Sequence, residues 1–453
     1  MMYRQETNPK VNNLLMYVSV FMVFFWVFND FGIRYIYGYA LLVVLLVWQG
    51  IKMVSRGDTF RVNKFKVLFT ALVVLSTFFS LLPTSNYNNF TFAITISMLV
   101  FWMYALFASV DKNQVLRVFR YIRLMSFVLS IYIIAVKLFP AIYWDHIFHY
   151  LSAAAQDEAN RLMHLGYGVP IGASSTYADY LIMVGILTIF GEFVFMTKKG
   201  DTKRKIASGL KLTVFFAAML VENRRTEVLS MILTVAIIFV LLINPRNHRD
   251  FSKKFTLFLK LIALVPIVIA VCWQIGLLER FAHTFTTILS GAVSVNELSS
   301  GRTDLWRVAW ELFKENPILG IGWEQFINHN YYNHEVHNSY LQFLCETGVI
   351  GFVGIVTPIL GIVFASLSQL KRLTRKNEEV LNGVKALNVV GSGIQVFFFL
   401  VNFIDPAFYH QNFFCFYGFS IILLSYCLDT ERELVANMVD GTRRNIKEKG
   451  MLP

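Results

Sequence analysis

Apolar residues fill runs of about twenty positions along most of the chain, and nearly every run is closed by a charged cluster. A run of that length crosses the hydrocarbon core of a bilayer as an α-helix. The pattern predicts about twelve spans: 12–29, 35–54, 67–83, 90–110, 124–140, 176–196, 206–221, 227–244, 255–276, 340–370, 383–403 and 408–428. Asn388, Ser392 and Gln395 interrupt the apolar run 383–403. The first run, Leu14 to Phe28, is followed by Asn29-Asp30 and not by a small-residue cleavage site, so it reads as a span and not as a signal peptide. The expected fold is an all-α polytopic membrane protein of about 12 transmembrane helices. A large extracytoplasmic loop is expected between the ninth and tenth.

Polar connections between the runs alternate in charge. One set is basic: Arg56, Arg61, Lys64 and Lys66; Lys112, Arg117, Arg120 and Arg123; Lys198 to Lys205; Arg246 to Lys254; Lys371 to Lys376; and the tail Arg443 to Lys449. The other set (30–34, 84–89, 141–175, 222–226, 277–339, 404–407) is poor in Lys and Arg. By the positive-inside rule the basic set and both termini face the cytoplasm. Three regions follow: residues 1–276 with nine spans and an external loop 141–175, the large external loop 277–339, and residues 340–453 with three spans and a basic tail.

The large loop carries its own pattern. Thr303 or Asp304 can cap a helix running to about Lys314. Its apolar face holds Leu305, Val308, Ala309 and Leu312, broadened by Trp306, Trp310 and Phe313; Arg307 and Glu311 stand at pairing distance on the other face. Such a helix is expected to lie along the membrane interface. Pro317-Ile-Leu-Gly320-Ile-Gly322 then makes a tight turn, and the chain returns to the membrane near His337.

Composition agrees with the pattern. The 453 residues are 56% hydrophobic with mean hydropathy +0.54, and their 15% charged residues fall well below the roughly one quarter of a soluble domain. The net charge of +12 resides in the connections of one side, which makes it a topology signal and excludes a nucleic-acid footprint. Cys272, Cys345, Cys415 and Cys427 lie in or beside apolar segments without paired spacing and read as small buried hydrophobes. Ionisable groups within the spans are few, with Glu192 and Glu346 the clearest, which counts against an ion-coupled transporter.

Three external positions can carry chemistry. Arg224-Arg225, in the short turn Glu222-Asn-Arg-Arg-Thr-Glu227, run against the positive-inside rule. They read either as a clamp for an anionic headgroup or as a pair neutralised by Glu222 and Glu227, with Arg225 the better clamp. Arg302 follows Gly301 at a helix start, where backbone amides and a guanidinium suit a phosphate; an ordinary interfacial arginine is the alternative. His337 is a side chain able to titrate near neutral pH at the lipid surface, or else a histidine that simply hydrogen-bonds backbone. Asn338 suits a helix cap or an orienting partner. His334 and His337 could share a helical face, but no third ligand completes a metal set, and Glu335 would face away, so no metal is expected. Asp405 and His410 form a separate polar cluster with a structural role.

Gly301-Arg302-x-x-x-Trp306, Asn316-Pro317-x-x-Gly320-x-Gly322 and His337-Asn338-x9-Gly348-x-x-Gly351 together resemble the motif region of the bacterial O-antigen ligase/polymerase superfamily. Arg224-Arg225 looks like that family's second external arginine site. The resemblance implies a glycosyl transfer from undecaprenyl pyrophosphate on the outer face of the bacterial cytoplasmic membrane, with His337 as base and Arg302 and Arg225 on the diphosphate. Asn338, Gly301 and Arg224 would support them. No cofactor is implied. The implied partners are the lipid-linked glycan, the bilayer, a flippase and a chain-length regulator. A capsule, exopolysaccharide or O-antigen polymerase is expected over a ligase. A flippase of lipid-linked sugars would leave the glycine-framed loop unexplained, and a peptidoglycan-type polymerase would need an external acid that the chain does not display.

Overall fold

The computed structural model describes residues 9–24, 31, 36–56, 62–86, 89–107, 112–164, 176–196, 201–243, 270, 273–274, 301–376 and 378–448. The expected span 255–276 falls almost wholly outside them, as do loop residues 277–300, Cys272 and the glycine-rich stretch 166–172. The described helices are α1 (Pro9–Phe24), α2 (Ile36–Arg56), α3 (Lys64–Ser80), α4 (Asn89–Phe107), α5 (Lys112–Leu138), α6 (Ala141–His146), α7 (Ala153–His164), α8 (Thr176–Met196), α9 (Thr202–Glu222), α10 (Arg225–Leu242), α11 (Arg302–Glu315), α12 (Ser339–Thr374), α13 (Asn382–Val401) and α14 (Gln411–Glu448). Among the described residues the fold is all-helical. Six stretches are long and apolar enough to cross a membrane: Asn113–Leu138, Ala178–Met196, Arg225–Leu242, Ser339–Thr374, Glu379–Val401 and Phe413–Met438. The chain is a multi-pass membrane protein, with six such spans among the described residues where the apolar runs suggest about twelve.

Burial sorts these helices into a centre and a rim. The apolar stretches of α8, α13 and α14 are 72, 83 and 89% buried, whereas those of α5, α10 and α12 are 33–44% buried. Tyr180 of α8 stacks on Phe413 of α14 at 4.5 Å between ring centroids, and Phe397 and Phe398 of α13 close edge-on around it. The polar residues that seem to interrupt α13 in the sequence do not break it. Ser392 Oγ donates to the Ser366 carbonyl (3.2 Å) and Gln395 Nε2 donates to Ser420 Oγ, so they tie α13 to α12 and α14. Cys345, Cys415 and Cys427 are buried free thiols, as expected. At the end of the bundle where α12 terminates, buried Glu431 of α14 pairs with Lys376 at 2.8 Å and with Arg372.

Helix α12 departs from a plain span. Gly348 has φ +62, outside the helical region, and the helix is interrupted there. A break releases peptide groups that normally pair along the helix, and in an apolar setting they need other partners. The turn 317–322 supplies them: the Ile321 and Gly322 amides donate to the Cys345 and Glu346 carbonyls (3.0 and 2.9 Å), and the Val349 and Ile350 amides donate to the Pro317 and Ile318 carbonyls (2.8 and 3.3 Å). A Cβ on Gly348 would stand 2.2 Å from the Ile318 carbonyl oxygen, and one on Gly320 would stand 2.4 Å from that of Glu346. The spacing of the two glycine elements therefore encodes a main-chain junction between the loop and the broken helix.

Replacing Gly348 by Ala combines a left-handed backbone, which costs an L-residue about 1–2 kcal/mol, with the clash on Ile318. Gly348→Ala is expected to lose most folded, monodisperse protein in detergent size-exclusion chromatography. Gly383→Ala, where a Cβ meets nothing within 4 Å, is expected to match the wild type.

Candidate functional site

Helix α11 begins at Arg302 and not at Thr303 or Asp304. Gly301 caps it with φ +79 and no side-chain bond, while Asp304 lies in the first turn as expected. Leu305 and Ala309 are buried, and Trp306, Val308, Leu312 and Phe313 pack with them against Phe326, Val336 and Cys345. Trp310 leaves that face and is 49% exposed. Arg307 pairs with Asp304 at 3.4 Å instead of with Glu311, because i,i+3 already brings the two charges together.

Between α11 and α12 the loop is fixed by buried groups. Trp323 is sandwiched against Tyr409 and Phe343, with ring centroids 4.9 and 5.7 Å away. Its amide donates to Ser85 Oγ (3.2 Å), and its carbonyl accepts from the Asn86 amide (2.8 Å). Glu346, buried in α12, accepts from the Glu324 amide (3.0 Å), the Phe326 amide (3.2 Å), the Tyr409 hydroxyl (2.8 Å) and Gln342 Nε2 (3.3 Å). Glu324 itself stands in the left-handed region (φ +60), and burial, then the charges of Glu346 and Glu335, push its carboxyl well above the usual range. Asn330 anchors the next turn: its Oδ1 accepts from the Tyr332 and His334 amides (3.1 and 3.3 Å), and its Nδ2 donates to the Phe326 and His334 carbonyls (2.7 and 2.9 Å).

His337 follows with φ +54, a conformation uncommon for a side chain of its size and of the kind that collects at functional sites. Asn338 is the N-cap of α12, its Oδ1 accepting from the Leu341 amide (3.0 Å), as one of its two expected roles. The Ser339 amide donates to the Asn402 carbonyl (2.9 Å), and Asn402 Oδ1 accepts from the Phe408 amide (3.0 Å), so the ends of α12, α13 and α14 meet here. His334 and His337 share no helical face, since both precede α12; their rings stand 6.5 Å apart. No group of three or more His, Cys, Asp or Glu able to hold a metal is found among the described residues.

The charges converge. Burial, then the charge of Arg302, holds His337 below the ordinary histidine range; Asp405 and Glu335 act in the opposite sense, and His334 adds to the lowering. Its Nδ1 is buried without a hydrogen-bond partner among the described residues. Glu335 does not face away: its Oε2 lies 3.2 Å from His410 Nε2. Asp405 and His410, expected as a separate structural cluster, thus join the surroundings of His337. Arg302, Arg224 and Asp405 also act on Glu227, buried in the first turn of α10, so the two arginine regions share one electrostatic neighbourhood. The charge of Arg224 also acts on Asp179 and His410. Arg225 is the first residue of α10 and is half-buried. Glu335 and Asp405 act on His337 although sequence spacing alone did not bring them to it, and His410 joins them through Glu335.

Residues 210–356 match the family model described as O-Antigen ligase, a stretch holding Arg224, Arg225, Gly301, Arg302, His337 and Asn338. Over 128 residues the chain is 30% identical to the exopolysaccharide production protein ExoQ of Rhizobium meliloti (strain 1021), covering 24% of this chain and 29% of that protein. These matches support the O-antigen ligase/polymerase superfamily. The chain spans less than a third of the length of that relative. The matched stretch runs from α9 to the first part of α12, and one of the charges acting on His337, Asp405, lies beyond it.

The Asn338 cap gives a quantitative check. Asn338→Ala removes one acceptor for the α12 amides and is expected to lower stability by about 1 kcal/mol. Asn338→Asp keeps the acceptor and is expected to stay within a few tenths of a kcal/mol of wild type. Thermal unfolding of the detergent-solubilised protein reads the difference.

Proposed function

We propose that the protein is a polymerase of cell-surface polysaccharide, acting on the outer face of the bacterial cytoplasmic membrane with both termini in the cytoplasm. The donor is a glycan on undecaprenyl pyrophosphate, and the acceptor is a sugar hydroxyl of another lipid-linked repeat unit. The observation that carries this reading is that Arg302 is the strongest charge acting on His337. A base and an anion-binding guanidinium in one neighbourhood suit attack on a sugar diphosphate.

His337 takes the acceptor hydroxyl proton as that oxygen bonds to the anomeric carbon, and the carbon–oxygen bond to the diphosphate breaks with its electron pair on the leaving group. One displacement from the opposite face inverts the anomeric configuration. Burial and Arg302 favour the neutral imidazole, the form a base needs. Arg302 and Arg225, with Arg224 and the α11 amides behind Gly301, hold the diphosphate and stabilise its developing charge without a metal. A flippase and a chain-length regulator are the expected protein partners.

Ligation to a lipid core is the second reading. The description of the matched family favours it, whereas the printed name of the Rhizobium relative favours exopolysaccharide synthesis.

Complementation of a polymerase-deficient strain decides between them. His337→Ala and Arg302→Ala are expected to abolish long chains at wild-type protein levels, read as glycan length on a gel. Long chains from both variants would overturn the assignment. Loss of attachment with chain length retained would make the protein a ligase. Arg224→Ala and Arg225→Ala, run alongside, rank the two arginines of the turn.

A further inference from the structure

We propose that Glu335 and His410 are a positioning pair that sets both the place and the basicity of His337 without touching the reacting atoms. The proposal rests on His337 as the base.

The geometry is that of a strut. Asn330 fixes the loop before residue 335 and the Asn338 cap fixes it after residue 337. Between those points the contact at 3.2 Å from Glu335 Oε2 to His410 Nε2 ties the segment to the start of α14. His410 is itself held there: its carbonyl accepts from the Phe413 and Phe414 amides (3.1 and 2.9 Å), and its ring packs on Phe413 at 5.2 Å. Both side chains are mostly covered, with 18% of Glu335 and 28% of His410 exposed. A half-buried strut of this kind restrains the left-handed His337 backbone two residues on.

The pair is also charged. Burial works against both ions. The charge and hydrogen bond of His410 nevertheless bring Glu335 below its usual range, and Glu335 raises His410 above the ordinary histidine range. The groups facing His337 are Arg302 from α11, His334 and Glu335 from the loop, and Asp405 from the turn after α13. Asp405 and Arg224 act on His410. With the pair intact, His410 compensates the Glu335 charge that His337 would otherwise feel in full. Removing one partner or the other must therefore move His337 in opposite directions. Loss of Glu335 removes a negative neighbour and favours the neutral imidazole; loss of His410 leaves Glu335 and Asp405 uncompensated and favours the imidazolium.

The test uses membranes carrying each variant as the sole copy, supplied with lipid-linked glycan extracted from a strain lacking the enzyme, with transfer rates measured from about pH 5 to pH 8.5. Glu335→Gln is expected to shift the acid limb of the profile down by about half a pH unit or more, and His410→Asn to shift it up by a similar amount. The double variant should fall between them, with a lowered rate throughout. Coincident limbs, or shifts of the same sign, would overturn the proposal. If Glu335→Gln or His410→Asn does not accumulate, Glu335→Asp, which keeps the charge but shortens its reach, and His410→Gln are each expected to shift the limb up. Failure of all four to fold would make the pair a fold element only and overturn the role. A His337→Ala variant with wild-type transfer would sink the assignment of the base itself; an inactive one alongside unshifted pair variants sinks this proposal alone.

Discussion

A carboxylate enclosed by helices must find partners or lose its charge, and Glu346 finds them in three separate parts of the chain. Two are amides of the loop, one is the Tyr409 hydroxyl beside the start of α14, and one is Gln342 a turn earlier in its own helix. Each unmet donor would cost on the order of 1–3 kcal/mol once buried. The group therefore acts as a common origin. It fixes Glu324 to Phe326, from which the loop runs to His337, and it fixes Tyr409, next to His410. The two sides of the proposed site are referenced to one side chain in α12.

Two devices of different chemistry reinforce that origin. The Gly348 break exchanges four peptide hydrogen bonds with the turn 317–322, which makes loop and helix a single hydrogen-bonded unit. Trp323, buried against Tyr409, adds the apolar contact. The result is a loop tied to the helices at several points and able to act as scaffold.

Much of this was readable from local pattern. The helices follow the apolar runs, Asn338 announces its cap, and the glycine spacing marks a special backbone. What could not be read depends on partners far apart in the chain. Glu335 faces away only if His334 and His337 share a helical face; the turn built by Asn330 keeps this segment out of a helix. Glu346 stands out in the sequence only as one of the few acids within a span, and its partner Tyr409 lies 63 residues away. Gly301 took the cap from Thr303 and Asp304 because the chain enters α11 through the left-handed region, a choice that no periodicity encodes. The apolar runs outnumber the six long apolar helices because α1 and α3 have only 16 and 17 residues, the apolar stretches described in α2 and α4 are Tyr37–Ile51 and Thr91–Leu106, α9 opens on a basic stretch, and 255–276 lies almost wholly outside the described residues.

The junction at Gly348 is made by main-chain atoms, which every amino acid supplies. Ile318 and Leu319 contribute carbonyl and amide groups to it or sit beside it, while their side chains remain exposed at 61 and 57%. Tyr331 and Tyr332 likewise project from a turn that is held by Asn330, with Tyr331 96% exposed. The exposed side chains of this loop can thus be rewritten residue by residue while the main-chain frame beneath them stays the same.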